Sequence, residues 1–269
     1  MNKLYNNFKN NGVVTINDLI DASTIKHIKE LILKNFKNAD NHDAMFLHKS
    51  GILELILNKK IRYLINILLP DGILWHCEYL KTPCKQSKPH FNPETRYGSW
   101  HRDRIIDYNH DRIDFLDIMI YLNDVGENDG AFSFLPVRPD HNIDSFKKSS
   151  KIIGASGLGI FSRIDWWHTA TTNVGNNDRE VIRLSLAKNM YHQNIQESQD
   201  YGDLRNFYKN KDEFISFIFG GNRKWYKNAE QPKQIKLNNI IFNIPPLNYH
   251  FKKSYKYIFK NKLKSLINY

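Results

Sequence analysis

Cysteine is scarce in this chain: Cys77 and Cys84 are the only two among 269 residues. They are too few for a disulfide framework and do not form a Cys-x-x-Cys pair. Their scarcity excludes a small disulfide-stapled scaffold and fits a reducing cytoplasm. No stretch approaches the roughly 20 continuous apolar residues that a membrane span needs. The first residues, Met1 to Asn11, are polar and rich in Asn and Lys, without the apolar segment of a secretory signal. The expected location is therefore cytoplasmic. Acidic residues are the minority sign, 28 against 39 Lys and Arg, for a formal net charge of +11. Such an excess attracts nucleic acid, an anionic membrane or an acidic small substrate. The chain has no zinc-finger spacing, P-loop or RNP-like stretch, so no nucleic-acid partner is expected. Many lysines instead stand beside Asn, as in Lys34 to Asn38, where they solvate a surface.

What the chain does have is enough apolar material for a core: 41% hydrophobic and 13% aromatic residues argue for a folded domain over disorder. Phe8 to Ile20 reads as a short strand with turns, with Val13, Val14 and Ile16 following Gly12. Ser23 is placed to cap a helix running to about Phe36, in which Ile25, Ile28, Ile32 and Phe36 recur at helical spacing. A second helix is predicted over Ile52 to Leu69, ending before Pro70. From Ile73 the pattern turns to period two and short apolar runs. Strands are predicted at Leu74 to Lys81, Phe115 to Leu122, Ala131 to Leu135, Gly159 to Phe161 and Val181 to Lys188. Turn signals such as Glu127-Asn128-Asp129-Gly130 separate them. Many short strands so punctuated imply a mainly β protein with flanking helices, a sandwich or jelly roll with an open mouth. Tyr201 to Phe219 reads as helical. The last twenty residues, His250 to Tyr269, carry six lysines, no acid and an amphipathic apolar period.

One constellation carries chemistry. Trp100-His101-Arg102-Asp103 contains His-x-Asp, two ligands that point to one side of an extended strand. His168 lies far downstream in Asp165-Trp166-Trp167-His168. Two neutral imidazoles and one carboxylate on one face of a metal form the facial triad of non-haem iron(II) sites, with positions left open for a co-substrate and oxygen. His76-Cys77-Glu78 is a rival pair of the same geometry, but it sits inside a predicted strand. His101 instead follows a long polar loop, Lys85 to Ser99. An oxoacid chelating the iron would need its far carboxylate anchored, and arginine does this best through two parallel charge-assisted hydrogen bonds. Arg179 follows His168 after ten residues. Arg183 follows after fourteen, in Arg183-Leu184-Ser185, where Arg183 and Ser185 share a strand face and could hold one carboxylate.

These stretches resemble the phytanoyl-CoA dioxygenase family. The likeness is carried by Phe8-Lys9-Asn10-Asn11-Gly12-Val13-Val14, by Trp100-His101-Arg102-Asp103, by Tyr121-Leu122-Asn123-Asp124 through Glu127-Asn128-Asp129-Gly130-Ala131 to Leu135-Pro136, and by Ile160-Phe161 through Trp167-His168, Asn173 and Arg179. It covers roughly residues 8 to 192, and the ordered set is more specific than any one motif. The resemblance implies a double-stranded β-helix core of the cupin-like, jelly-roll kind. It also implies iron(II) held by His101, Asp103 and His168, with 2-oxoglutarate and O2 as co-substrates. Oxidative decarboxylation would give succinate and CO2 and oxidise an unactivated C–H bond, most simply to an alcohol. The family's spacing favours Arg179 as the carboxylate anchor, with Arg183 as the alternative. Lys81 and its neighbours sit where the family places residues near the co-substrate. The chain departs from the family at Val137-Arg138-Pro139-Asp140-His141, which replaces a common Pro-Gly-Ser-His, and after Tyr191.

The expected organisation is an oxygenase domain over 1–192 and a helical C-terminal extension over 193–269 packed on it. The substrate is expected to be a small or carrier-linked metabolite. An anionic group on it would suit Arg96, Arg102, Arg104 and Arg112, which flank the predicted mouth. Two competing readings are a non-catalytic binding protein on the same fold and a membrane- or polyanion-associated protein using the basic tail. A complete ligand set argues against the first. For the second, tails of this pattern commonly pack back on a domain.

Overall fold

The computed structural model describes residues 3–35, 43–86, 100–102, 112–135, 149–188 and 199–220. The region around Asp103, the segment 235–243 and the basic tail from His250 lie outside the described residues. No helix among the described residues is long and apolar enough to cross a membrane.

The chain opens with helix α1 (Lys3–Asn11) and strand β1 (Val13–Ile16). The sequence reading missed α1, because its only helical signal is Leu4 and Phe8, one turn apart and both buried. Helix α2 (Ala22–Asn35) follows. Its cap is Asp21, which accepts from the Thr24 amide at 2.9 Å, and not Ser23, whose hydroxyl donates to the same carboxylate. The single helix expected over 52–69 is broken. Helix α3 (Ala44–Lys49) precedes that stretch, and two helices, α4 (Ile52–Ile56) and α5 (Lys59–Leu68), replace the expected one, because Asn58 leaves the helical path and caps α5 through the amides of Lys60 and Ile61.

The β core begins at β2 (Gly72–Thr82) and continues through β3 (Phe115–Tyr121), β4 (Phe132–Phe134), β5 (Ser150–Ile152), β6 (Gly159–Ser162), β7 (His168–Ala170) and β8 (Arg179–Lys188). A five-stranded sheet runs β1-β6-β3-β8-β2 and a three-stranded sheet runs β5-β4-β7, with every pairing antiparallel. Even-numbered residues of β8, including Ile182, Leu184 and Leu186, join the helices in the larger core. On the opposite face, Val181, Met119 and Tyr121 pack against Phe132, Phe134 and Ile152 of the small sheet. The large sheet is thus covered on both faces, which is why β3 reads as a near-continuous apolar run.

Register on β2 depends on a bulge between Leu74 and His76. The extra residue, Trp75, changes which side chains face the small sheet. Beyond the bulge, His76, Glu78, Leu80 and Thr82 stand opposite Ser185, Arg183, Val181 and Arg179 and share their face. Helices α6 (Gln199–Tyr208) and α7 (Glu213–Ile218) contribute Leu204, Tyr208, Phe214 and Ile218 to the larger core. The sequence pattern had joined them, but Asp212 interrupts, capping α7 and accepting both guanidinium arms of Arg62 at 2.8 and 2.6 Å.

Candidate active site

The small sheet brings two of the expected ligands together. His168 opens β7 and stands opposite Phe134 of β4. On its other side it forms an isolated bridge with His101: each backbone amide donates to the other's carbonyl at 3.0 Å. Residues paired this way project from the same face, and the two imidazole rings lie 4.5 Å apart between centroids, tilted by 55°. The Nδ1 atom of His168 is 2.8 Å from the Trp166 carbonyl oxygen. A carbonyl can only accept, so Nδ1 carries the proton and Nε2 is the nitrogen able to act as a metal ligand.

The turn before His168 is held by a buried ion pair. Arg163 meets Asp165 through Nε at 3.0 Å and Nη2 at 2.6 Å, and Nη2 also donates to the Arg112 carbonyl. Arg163 is 1% exposed, and in such surroundings a two-pronged pair fixes geometry. Gly12 completes the support. Its carbonyl accepts from the Arg163 amide at 2.8 Å, its φ is +72°, and a Cβ there would lie 2.3 Å from the Trp166 ring. Only glycine suits a position that is both left-handed and this close to a ring.

Asp103, the third expected ligand, lies outside the described residues, and among those described no group of three potential ligands occurs. The donor set that is present, two adjacent imidazoles with one tautomer fixed by a backbone carbonyl, suits a divalent first-row metal.

Arg179 opens β8 on the face turned toward the small sheet, and burial draws its pKa down. It donates to the carbonyl of Gly130 and, at 2.9 Å, to Thr82 Oγ1, while Nε has no partner. Among the described residues no carboxylate reaches it. Tyr121 is its neighbour on the same face, but burial pushes that phenol up to about 12. The Tyr121 hydroxyl is occupied, donating to the Ile152 carbonyl and accepting from the Phe132 amide. It stays neutral and leaves the arginine's charge unmatched. Asn173, fully buried, braces this corner by donating to the carbonyls of Thr82 and Asn177.

The other candidates are placed differently. Arg183 bonds both oxygens of Asp117, at 3.0 and 3.1 Å, and Ser185 donates to the same carboxylate. Lys81 is not brought to this site. It pairs with Asp178 at 3.0 Å on a half-exposed side chain and faces away, because its neighbour Thr82 takes the inward position. His76 and Glu78, the rival pair, contact each other at 2.7 Å on the large sheet, whereas His101 and His168 belong to the small one. Sequence reasoning missed Asp117. A lone carboxylate in Phe-Leu-Asp-Ile-Met-Ile-Tyr was the available signal, since a buried charge in an apolar strand requires a partner.

No family model matches the sequence, and no curated protein matches it. Solved structures do match in three dimensions. AviO1 from Streptomyces viridochromogenes superposes with a TM-score of 0.55 at 12% identity, over 69% of this chain and 93% of that one. The nickel complex of the non-haem monooxygenase ThoJ gives 0.55 at 14% identity, over 69% and 77%. HygX from Streptomyces hygroscopicus, with nickel and 2-oxoglutarate bound, gives 0.50 at 14% identity, over 70% and 87%. At such identities the likeness is one of fold, and together with the two antiparallel sheets described above it identifies the core as the cupin-like double-stranded β-helix.

Proposed function

We propose that this protein is an iron(II)- and 2-oxoglutarate-dependent oxygenase of the phytanoyl-CoA dioxygenase type, hydroxylating an unactivated C–H bond of a small or carrier-linked substrate. The observation that carries the reading is Arg179: a desolvated cation with no acidic partner among the described residues, on the barrel face opposite a pair of metal-competent imidazoles. A buried positive charge held by neutral groups is a receptor for an anion. Two structural neighbours are non-haem or 2-oxoglutarate-bound proteins by name, which supports the same assignment.

In this reading His101, Asp103 and His168 hold iron(II). The bound metal and co-substrate supply the oxidising chemistry, with 2-oxoglutarate leaving as succinate and CO2. The protein's residues position and protect. His168 binds through Nε2 because Trp166 holds its Nδ1 proton. Arg179 takes the far carboxylate of 2-oxoglutarate. Thr82 accepts from Arg179 and can turn its own hydroxyl proton to the same carboxylate. Val181, Met119, Phe132 and Phe134 form the dry lining between the two ends, which strengthens the charge-assisted bonds at Arg179.

The test is anaerobic titration with iron(II) and 2-oxoglutarate, read by the visible charge-transfer absorbance of the chelate. His101→Ala should abolish it and His76→Ala should leave it. Persistence in His101→Ala with loss in His76→Ala would move the metal to the rival pair and overturn the assignment.

A further inference from the structure

The inward face of the large sheet has a polar half that the oxygenase chemistry leaves unassigned. Arg179, Thr82 and Tyr121 occupy one end, and Leu80, Val181 and Met119 follow. Beyond them three strands set hydrogen-bonding side chains side by side. His76 stands opposite Ser185, Glu78 opposite Arg183, and Ser185 in turn opposite Asp117. Asp117 is 2% exposed and enclosed by Arg183 and Ser185, so it serves the fold.

Glu78 and His76 are different. Their side chains are 22% and 45% exposed, they lie on the sheet's edge strand, and the Trp75 bulge is what turns them inward. The row sets two carboxylates, Glu78 and Asp117, against one guanidinium, Arg183. An alkyl chain laid on this wall would strip water from ions and return no hydrogen bonds. A carboxylate or phosphate would meet a like charge at Glu78. Hydroxyl and amino groups suit it, since they donate to Glu78 and exchange hydrogen bonds with His76.

We infer that the substrate is a small polyhydroxylated molecule, neutral or amine-bearing, whose O–H or N–H groups are recognised by Glu78 and His76, and is not an acyl chain. This rests on the oxygenase reading and narrows it. Glu78 acts as a specificity determinant that touches the substrate away from the reacting carbon, while the metal and Arg179 serve the co-substrate.

The test uses the full chain loaded with zinc(II) in place of iron and with 2-oxoglutarate, so that binding is read without turnover. Saturation-transfer NMR is recorded with glucosamine, methyl glucoside and an N-acetylcysteamine thioester of hexanoate. Calorimetric binding of 2-oxoglutarate is measured on each variant. Both sugars should bind and the thioester should not. Glu78→Gln should weaken glucosamine on the order of tenfold or more, through loss of a charged acceptor, and methyl glucoside less. Glu78→Leu should weaken both, with 2-oxoglutarate binding unchanged in either variant. Binding of the thioester with both sugars silent, or sugar binding indifferent to Glu78→Leu, would overturn the inference and leave the oxygenase reading standing. Failure of the wild type to bind 2-oxoglutarate would overturn the oxygenase reading, and this inference with it.

Discussion

Replacing Arg179 or Arg183 with methionine should have opposite consequences, although the two arginines share one strand and one face. Arg179 donates to two neutral groups and leaves Nε without a partner. Removing it costs the hydrogen bonds of Gly130 and Thr82 but relieves a buried, unmatched charge. The two effects offset, so stability should stay within about 2 kcal/mol of wild type. Binding of 2-oxoglutarate should collapse. Loss of a charge-assisted pair in a desolvated site costs roughly 2–5 kcal/mol, about thirtyfold to several thousandfold in affinity. Arg183→Met does the reverse. It strands Asp117, whose side chain is 3% exposed, with Ser185 alone. Breaking a buried pair costs about 3–5 kcal/mol, and the 23% exposure of Arg183 puts this case near the lower end. The assay is thermal unfolding of the zinc-loaded protein with and without 2-oxoglutarate. At a hundredfold excess over Kd the ligand adds about 2.7 kcal/mol, a rise of roughly 5–10 °C for a domain of this size. Arg179→Met should melt near wild type and show no rise; Arg183→Met should melt roughly 6–12 °C lower and keep it. An Arg179→Met protein that still responds to 2-oxoglutarate, or an Arg183→Met protein that melts normally and does not respond, would refute the assignment.

Two further outcomes follow from the same contacts. Gly12→Ala should destabilise the protein by about 2 kcal/mol or more, since it combines a positive φ with a clash against the Trp166 ring; an unchanged denaturant midpoint would show that the ring moves freely. The Asp178 carboxyl is held below its ordinary 3.8, first by the Cys84 amide and then by Lys81. A lowered carboxyl pKa stabilises the folded state above pH 3.8, and that contribution is lost as pH falls through the folded value. Asp178→Asn should therefore flatten the acid limb of the stability curve below about pH 4, and an unaltered limb would remove this pair from the account.

The long strands were legible because their chemistry repeats. β2, β3 and β8 carry enough apolar residues in register to outweigh other readings, and their predicted limits fall within a few residues of those found. β5 and β7 were not legible. Ser150-Lys151-Ile152 buries one apolar residue, and His168-Thr169-Ala170 has no apolar alternation at all. Each is a strand because β4 lies beside it, not because of local preference. The helix break at Asn58 and the cap at Asp21 show the same dependence on which of several polar residues turns its oxygen to the backbone.

The site was legible where spacing carries the meaning and opaque where register does. His101 and His168, which the structure sets side by side, could be singled out from the chain as candidate ligands because a metal needs particular atoms, however far apart in sequence. The choice between Arg179 and Arg183 could not, since both have the same parity on β8; what differs is the strand alongside. Thr82 and the Gly130 carbonyl wait for one, and Asp117 waits for the other. Lys81 and Thr82 show the same limit by a single residue, because the bulge at Trp75 decides which of them faces inward. The resulting charge pattern is selective. Arg62, Arg163 and Arg183 each have a carboxylate within hydrogen-bonding distance. Among the described residues, Arg179, 7% exposed, is given only a carbonyl and a hydroxyl. A fold selected for stability alone gains nothing from that exception, because an apolar side chain would fill the corner without the desolvation penalty. The exception makes sense under the proposed function, in which the missing carboxylate arrives with the co-substrate.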